Sequence, residues 1–507
     1  MSHDPRFVDT GRRRWTSWHH FEHPVHELLD VWNGQPERST VEGYNATTRG
    51  FRDTVERALA GGETVRAKGA GWSYSAVGTT DGIVLNTRPL NFHFRLSADQ
   101  VHADFAGDPK HLLVAQCGNS IADLNRVLEA DGQSLRTSGA ANGQTIVGAM
   151  STGTHGAAID VGAVQDTIVA LHLVVSPERS VWLERASAPV VVDALPTAFG
   201  AELIRDDALF DAALVSFGSF GIIAGVVVEA TDRFFLHAFR RSMPLDEGLW
   251  AAVDRLDFSA VALPRPSTER PHHFQLFIDP FSVDEGVFVV TMYKDPERPT
   301  DCRPSPVGQT RVGDGALEVM GVITDIAPAV TPALASFLVR QIYKPYEAVC
   351  GTHAEIFTDT GVRGKSASSA MGIPLGRVRE ALGLVLAQIL EEPVPVTVAL
   401  RYVRASAATL AFTHHPPQTC VLEIDGPRSQ RVLGTYRRVW RVLEEAGIPY
   451  TFHWGKLNDL HLNPARLRRM YGDRVDDWLT ARRTLLPTTA LRHAFANSFL
   501  HGAGLAD

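Results

Sequence analysis

The chain has 507 residues, a formal net charge of -8, 44% hydrophobic residues and 21% charged ones. That length suits roughly three domain-equivalents around a sizeable core. The mild acidity excludes nucleic acid or an anionic membrane as the main partner, because both demand concentrated basic charge. No stretch is long and apolar enough to span a bilayer. Arg12-Arg13-Arg14 opens like a twin-arginine export signal, but Trp15 to Pro24 is polar and aromatic where an apolar segment is required. Cys117, Cys302, Cys350 and Cys420 lie far apart with no metal-binding spacing. They read as reduced, buried thiols in a reducing, cytoplasmic compartment.

Taken in chain order, the first half alternates helix and strand signals. Phe51, Val55 and Leu59 fall at helical spacing, and Gly61-Gly62 ends that helix. Thr64 to Ala67 reads as a short strand running into Lys68-Gly69-Ala70-Gly71, and Ile83-Val84-Leu85 as the next. Leu112 to Gln116 is a further strand. Ser120 caps a helix carrying Ile121, Leu124, Val127 and Leu128 on one face, and Gly132 ends it. Residues 139–162 are Gly, Ala, Ser and Thr, with little to pack. Ile168 to Val175 and Ile222 to Val228 are β-branched runs suited to strands buried on both faces.

From about Phe234 the character changes. Phe274 to Ile278 and Val287 to Met292 read as strands, and residues 315–348 mainly as helix. Val378, Leu382, Val385, Leu386 and Ile389 form a helical stripe after Pro374. Thr397 to Val403 and Cys420 to Ile424 are strands. Val432, Tyr436, Val439, Trp440 and Leu443 form another helical stripe, closed by Gly447 and Pro449. This half reads as an α+β domain, an antiparallel sheet backed by helices.

Four segments carry chemistry. In Lys68-Gly69-Ala70-Gly71-Trp72-Ser73-Tyr74-Ser75 the two glycines permit positive φ and bring consecutive N–H groups to one point. That is either a plain tight turn or an anion nest suited to a pyrophosphate. It is not a Rossmann GxGxxG, because Tyr74 stands where the third glycine belongs. The stretch Gly143 to Gly156 offers Gly143, Gly148, Gly153 and Gly156 with Thr145, Ala149, Ser151, Thr152, Thr154 and His155, a surface that a flat or charged ligand can approach closely. A flexible linker is also Gly/Ser-rich, but has no need of Ile146, Val147 and Met150. The third segment, Ser216 to Ile223, turns through Gly218 and Gly221 into Ile222. The fourth is Phe452-His453-Trp454-Gly455-Lys456.

Together these residues resemble the vanillyl-alcohol oxidase, or PCMH-type, FAD-binding family, and within it the sugar-lactone and alditol oxidases. That branch carries a G-x-G-H-S loop, a Ser/Thr-G-T-H-G stretch, a G-x-x-G-I/V turn and a C-terminal H-W-G/A-K. Here these are Gly69 to Ser73, Ser151 to Gly156, Gly218 to Ile222 and His453 to Lys456, in the same order. The resemblance implies an α+β fold with a two-subdomain FAD-binding domain over residues 1–232, split near 95. It further implies a substrate domain over 233–450 and a segment, 451–507, returning to the FAD. It assigns FAD binding to residues 68–75, Gly118, the named positions of 143–156, Gly218, Gly221, Ile222 and Lys456.

Two positions depart from the family. Trp72 stands where relatives carry the histidine that links the flavin covalently, and no cysteine occupies 139–148, so FAD is expected to be noncovalent. The Glu-x-Arg pair of alditol oxidases reads Ala399-Leu400-Arg401, and Glu423 in the next strand is the candidate replacement for the missing acid. The expected activity is oxidation of an alcohol-bearing carbon by hydride transfer to the flavin, the cofactor carrying the hard chemistry. Arg401 and Lys456 would stabilise negative charge, and His453 or Glu423 would act as base. Equally, His453 reads as a structural histidine and Arg401 as half of an ion pair with Glu423. The expected partners are a small-molecule substrate and oxygen, with Gly118 leaving room for it, or another electron acceptor. The rival from another class is a catalytically degenerate FAD-fold binding protein. His19-His20, His272-His273 and His414-His415 read as surface or packing residues and no metal is expected.

Overall fold

Three sheets carry the predicted strands. The structure, a computed structural model, describes residues 6–34, 40–303, 316–326, 331–357, 364–458 and 462–507. In the first sheet Val65–Lys68 and Glu27–Trp32 flank Ile83–Asn86 in parallel, and Arg6–Asp9 adds antiparallel at the edge. The helix Val41–Gly61 starts at Thr40, whose side chain accepts from Gly43 N–H, and stops at Gly62 with φ 65°. It buries Phe51, Val55 and Ala58 completely and touches both Val65–Lys68 and the second sheet, joining the two subdomains.

The second sheet has six strands. Ile168–Val174 and Ile222–Glu229 lie at its centre, which is why both read as unbroken apolar runs. The glycine-rich stretch departs from expectation. Ile146–Thr152 is a helix, because Thr145 caps it, Gly153 ends it at φ 80°, and Ile146, Ala149 and Met150 reach the core.

The third sheet has eight strands, all pairings antiparallel, and runs from Tyr346–Thr352 at one edge to Thr451–Phe452 at the other. Thr397–Arg404 and Gln418–Pro427 sit side by side within it. The helices Val378–Glu391 and Gln430–Glu445 pack together behind it, and burial of Leu382, Val385, Val439 and Trp440 at 0% exposure accounts for their stripes. The region expected as helix over 315–348 contains the helices Ala316–Ile326 and Thr331–Ile342, while residues 315 and 327–330 lie outside the described residues. Residues 346–348 are strand instead, since Tyr346–Thr352 pairs along Phe235–Met243.

The cysteine expectation is corrected on one pair. Cys302 and Cys350 are joined in a disulfide, with a Cα–Cα separation of 5.2 Å. Cys117 and Cys420 are free, and burial pushes both thiols up to about 12. Among the described residues no helix is long and apolar enough to cross a membrane, and no cluster of His, Cys, Asp or Glu is built to hold a metal.

The closing helices return to the first half of the chain. Arg474–Leu485 packs on Asp207–Leu214, and Trp478 donates its indole N–H to Val215 O at 3.1 Å. Two buried arginines complete this junction. Arg66 donates to Phe217 O at 3.0 Å and Val77 O at 2.9 Å. Arg482 donates to Ser219 O at 3.1 Å, Arg492 O at 2.7 Å and Ala506 O. Both satisfy carbonyls where the chain turns, and burial lowers Arg66 to about 9 and Arg482 to about 10. Removing such a donor strands buried acceptors, at about 1–3 kcal/mol each. Arg482→Met should therefore destabilise the protein by at least about 2 kcal/mol, read as a lower urea midpoint with an unchanged slope. An unchanged midpoint would show that water replaces the guanidinium.

Candidate active site

A cavity of about 540 Å³ lies between the glycine-rich segments and the eight-stranded sheet, within the size range of small-molecule and cofactor sites. One wall is loop 68–75, the helix Ile146–Thr152 and the turn at 217–221. The other is the sheet face, carrying Thr397, Arg401, Glu423 and Asp425. Met320, Ala335, Val339 and Ile342 reach it from the helix pair over its rim.

The sheet register sets Glu423 beside Ala399. Glu423 is the cross-strand partner of Ala399, so its side chain stands beside the place where the Glu-x-Arg acid would be. Its carboxylate contacts Arg401 Nη2 at 3.3 Å and Lys456 Nζ at 2.6 Å. With its amide oxygen facing the guanidinium, Gln275 accepts from Arg401 Nε at 2.9 Å. Lys456 also donates to Ser368 Oγ at 2.7 Å. Burial alone would raise the Glu423 pKa, but the Arg401 and Lys456 charges outweigh it and hold the carboxyl below its ordinary range. Burial alone would lower Lys456; Glu423 and Asp425 instead hold it above its ordinary value. Arg401, a clamp on substrate in one reading and an ion pair in the other, is thus paired with Glu423 while still lining the cavity.

The histidines are buried and neutral. His453 Nδ1 accepts from Gly455 N–H at 3.0 Å, which leaves the proton on Nε2. Burial and the neighbouring His155 hold its pKa well below the usual value, so it offers a donor and not a base. His155 Nδ1 donates to Gly156 O at 2.9 Å, and burial with Arg401 lowers it to about 4.

Loop 68–75 is tied to the last segment. Tyr74 N–H donates to Gly455 O at 2.8 Å and Ser75 Oγ to Trp454 O. Tyr74 stacks on His19 at 3.6 Å, and Trp72 on Trp18 at 4.3 Å. Lys68 lies over the Trp15 ring at 5.1 Å. A Cβ on Gly69 would collide with Thr145 Oγ1, so glycine there lets the loop close onto the helix.

The chemistry of this wall fits a phosphate-bearing, planar cofactor. Among the described residues the N–H groups of Ala70, Gly71, Trp72 and Ser73 reach no protein acceptor. Ser151 Oγ and Gln144 Oε1 are buried at the cavity wall without partners. A Cβ on Gly218 would meet only Arg66 Nη1, at 3.8 Å, leaving that side open.

Of the residues singled out in the sequence, Lys68 to Ser75, Thr145, Gly148, Ala149, Ser151, Thr152, Thr154, His155, Gly218, Gly221, Arg401, Glu423, His453 and Lys456 line this cavity. Gly118, Gly143, Gly153, Gly156 and Ile222 do not. Gly118 faces the 87–90 turn, where a Cβ would collide with the Thr87 and Leu90 carbonyls, so it leaves no room for oxygen. Gly153 caps the helix beside Phe412, and Gly156 packs on Ser138. Ile222 points away and Ile223 takes the wall position, by strand alternation. Sequence reasoning missed Asp425, Ser366, Thr397 and Tyr343. Asp425 was findable, because it shares a strand face with Glu423.

The comparisons with known proteins agree with this geometry. Residues 46–183 match the FAD binding domain family and residues 267–499 the D-arabinono-1,4-lactone oxidase family. L-gulono-1,4-lactone dehydrogenase of Mycobacterium tuberculosis is 25% identical over 426 residues, 83% of this chain and 86% of that protein. D-arabinono-1,4-lactone oxidase of Candida glabrata is 28% identical over 184 residues, 36% of this chain and 30% of that one. The crystal structure of cholesterol oxidase from B. sterolicum superposes with a TM-score of 0.71 at 14% identity, covering 99% of this chain and 98% of that one, a likeness of fold. With an FAD binding domain matched over residues 46–183 and a D-arabinono-1,4-lactone oxidase domain over residues 267–499, the chain is an FAD-dependent oxidoreductase with a PCMH-type, cholesterol-oxidase-like fold.

Proposed function

We propose that the chain oxidises a hydroxyl-bearing carbon of a sugar lactone or a closely related neutral polyol, using a noncovalently held FAD. The observation that carries this reading is the buried Arg401–Glu423–Lys456 cluster on the wall facing the glycine loops. Two cations share Glu423 with Asp425 beside them on the same wall, leaving hydrogen-bonding groups and little net charge for a substrate. The names of the relatives, lactone oxidases and a lactone dehydrogenase, support the substrate class.

In this reading the N–H groups of loop 68–75 hold the pyrophosphate, and Ser151 and Gln144 serve the remaining polar atoms of the cofactor. Bound FAD supplies the two-electron oxidising capacity. Arg401 and Lys456 orient the substrate oxygen and stabilise the negative charge that grows on it. The helices Ala316–Ile326 and Thr331–Ile342 exclude water from above. An anaerobic panel of aldonolactones, alditols and sterols tests the substrate class through bleaching of the flavin; bleaching by sterols alone would overturn it. Both oxidase and dehydrogenase occur among the names of the relatives, and aerobic reoxidation of the reduced protein separates the two acceptors.

Trp72 offers no nucleophilic nitrogen, and its ring is stacked on Trp18. Acid precipitation should therefore release all FAD into the supernatant; yellow colour in the pellet would mean a covalent link. Lys456→Met should retain FAD but slow its reduction by substrate, since one such donor is worth roughly 2–4 kcal/mol in the transition state. An unchanged rate in rapid mixing would remove Lys456 from the chemistry. Gly69→Ala should force the loop off Thr145 and lower FAD content at a given added concentration. Wild-type content would show that the loop yields without loss.

A further inference from the structure

The two carboxyls of the cavity wall stand one pleat apart on the same face of Gln418–Pro427, in different surroundings. Glu423 is 2% exposed and gripped by Lys456 at 2.6 Å and Arg401 at 3.3 Å. Asp425 is half-buried and faces the cavity. Its cross-strand neighbours are the hydroxyl residues Ser368 and Thr397, and the Ser368 hydroxyl donates to Glu423 Oε1 at 3.5 Å. Among the described residues no ion pair holds it. Two carboxyls whose environments drive their proton affinities apart divide the work of a site between them.

We propose that Asp425 is the catalytic base that takes the proton of the substrate hydroxyl, while Glu423 is a positioning residue that holds Arg401 and Lys456 against the substrate oxygen. This rests on the alcohol-oxidising reading of the cavity. The O–H bond breaks and its proton passes to the Asp425 carboxylate. The C–H bond breaks with its hydrogen and both electrons leaving together as hydride, for which FAD would be the two-electron acceptor, and a carbonyl remains.

The groups around Asp425 fit that task. Glu423 faces it from its own strand, and Arg401 from the neighbouring one. Lys456, Tyr74, Tyr343 and Tyr436 approach from the other elements. Burial and then the Glu423 charge raise the Asp425 pKa above the ordinary carboxylate range, against the pull of Lys456 and Arg401. A carboxylate so placed binds a proton more readily than Glu423, whose affinity the same two cations suppress. His155 keeps a free Nε2 lone pair, but burial and Arg401 remove most of its basicity.

Asp425→Asn should keep FAD and lose about 10²–10⁴-fold in the anaerobic rate of flavin reduction, the usual contribution of a positioned base. In the wild type that rate should fall as pH drops through the Asp425 titration, and the acid limb should be absent from the variant. [13C]Aspartate NMR of the holoprotein supplies a readout independent of turnover. Asp166 and Asp425, both raised by burial, should titrate well above the ordinary range, and Asp425→Asn should remove one of these two signals. Asp425→Glu guards against misfolding of the first variant: it should keep a displaced acid limb at a reduced rate. A reduction rate within threefold of wild type in Asp425→Asn would overturn the proposal, as would an acid limb that survives there and vanishes in His155→Gln. Asp425→Asn removing neither high-titrating aspartate signal would do the same. A wild-type flavin that no member of the panel reduces would instead sink the parent reading.

Discussion

One carboxylate between two cations organises the catalytic half of this molecule. Glu423 lies on an interior strand of the eight-stranded sheet, where a lone negative charge would be prohibitive. Arg401 comes from the adjacent strand and Lys456 from the chain leaving the sheet's edge, so a single compensated charge ties neighbouring strands to the closing segment. Buried pairs of this kind add little net stability, but removing one partner is costly because the other charge stays behind. The cluster is therefore best understood as a device for geometry. It fixes where two donors point in a site that water cannot easily reorganise.

The register of the sheet decides which charges can meet in this cluster. Ala399 and Glu423 are antiparallel partners, and side chains of such pairs stand about 5 Å apart. Glu423 therefore reaches the guanidinium of Arg401, two residues from Ala399 on the neighbouring strand, at 3.3 Å. The small side chain of Ala399 leaves the carboxylate and the guanidinium to meet across the strand boundary rather than along one strand.

Much of the architecture was legible in the sequence because periodicity and punctuation are local signals. The stripe Val432, Tyr436, Val439, Trp440 and Leu443 marked its helix, and Ser120 marked a capped start. What was hidden depended on distant partners. Tyr346–Thr352 is strand because Phe235–Met243 offers it an edge, and nothing within 346–352 announces that neighbour. Cys302 and Cys350 lie 48 residues apart and meet only when that edge forms. The helix Ile146–Thr152 was masked by glycine, serine and threonine, whose weak helix propensity is overridden by capping and by burial of Ile146 and Met150. At the site, loop 68–75 could be located from its glycines, whereas Gly118 looked similar in sequence and faces elsewhere. The role of a glycine depends on what lies opposite it.

The seam between the first and last parts of the chain has a consequence for synthesis. Arg66 and the 76–79 turn receive their final partners from residues near 495, and Ser219 from Arg482. Asn497 alone donates to Val77 O at 3.1 Å and Thr79 O at 2.8 Å. The contacts of Arg66 and of the 76–79 turn span more than four-fifths of the 507-residue sequence. The first half therefore cannot close this seam until residues 482–497 have left the ribosome, and until then water must satisfy its turn carbonyls.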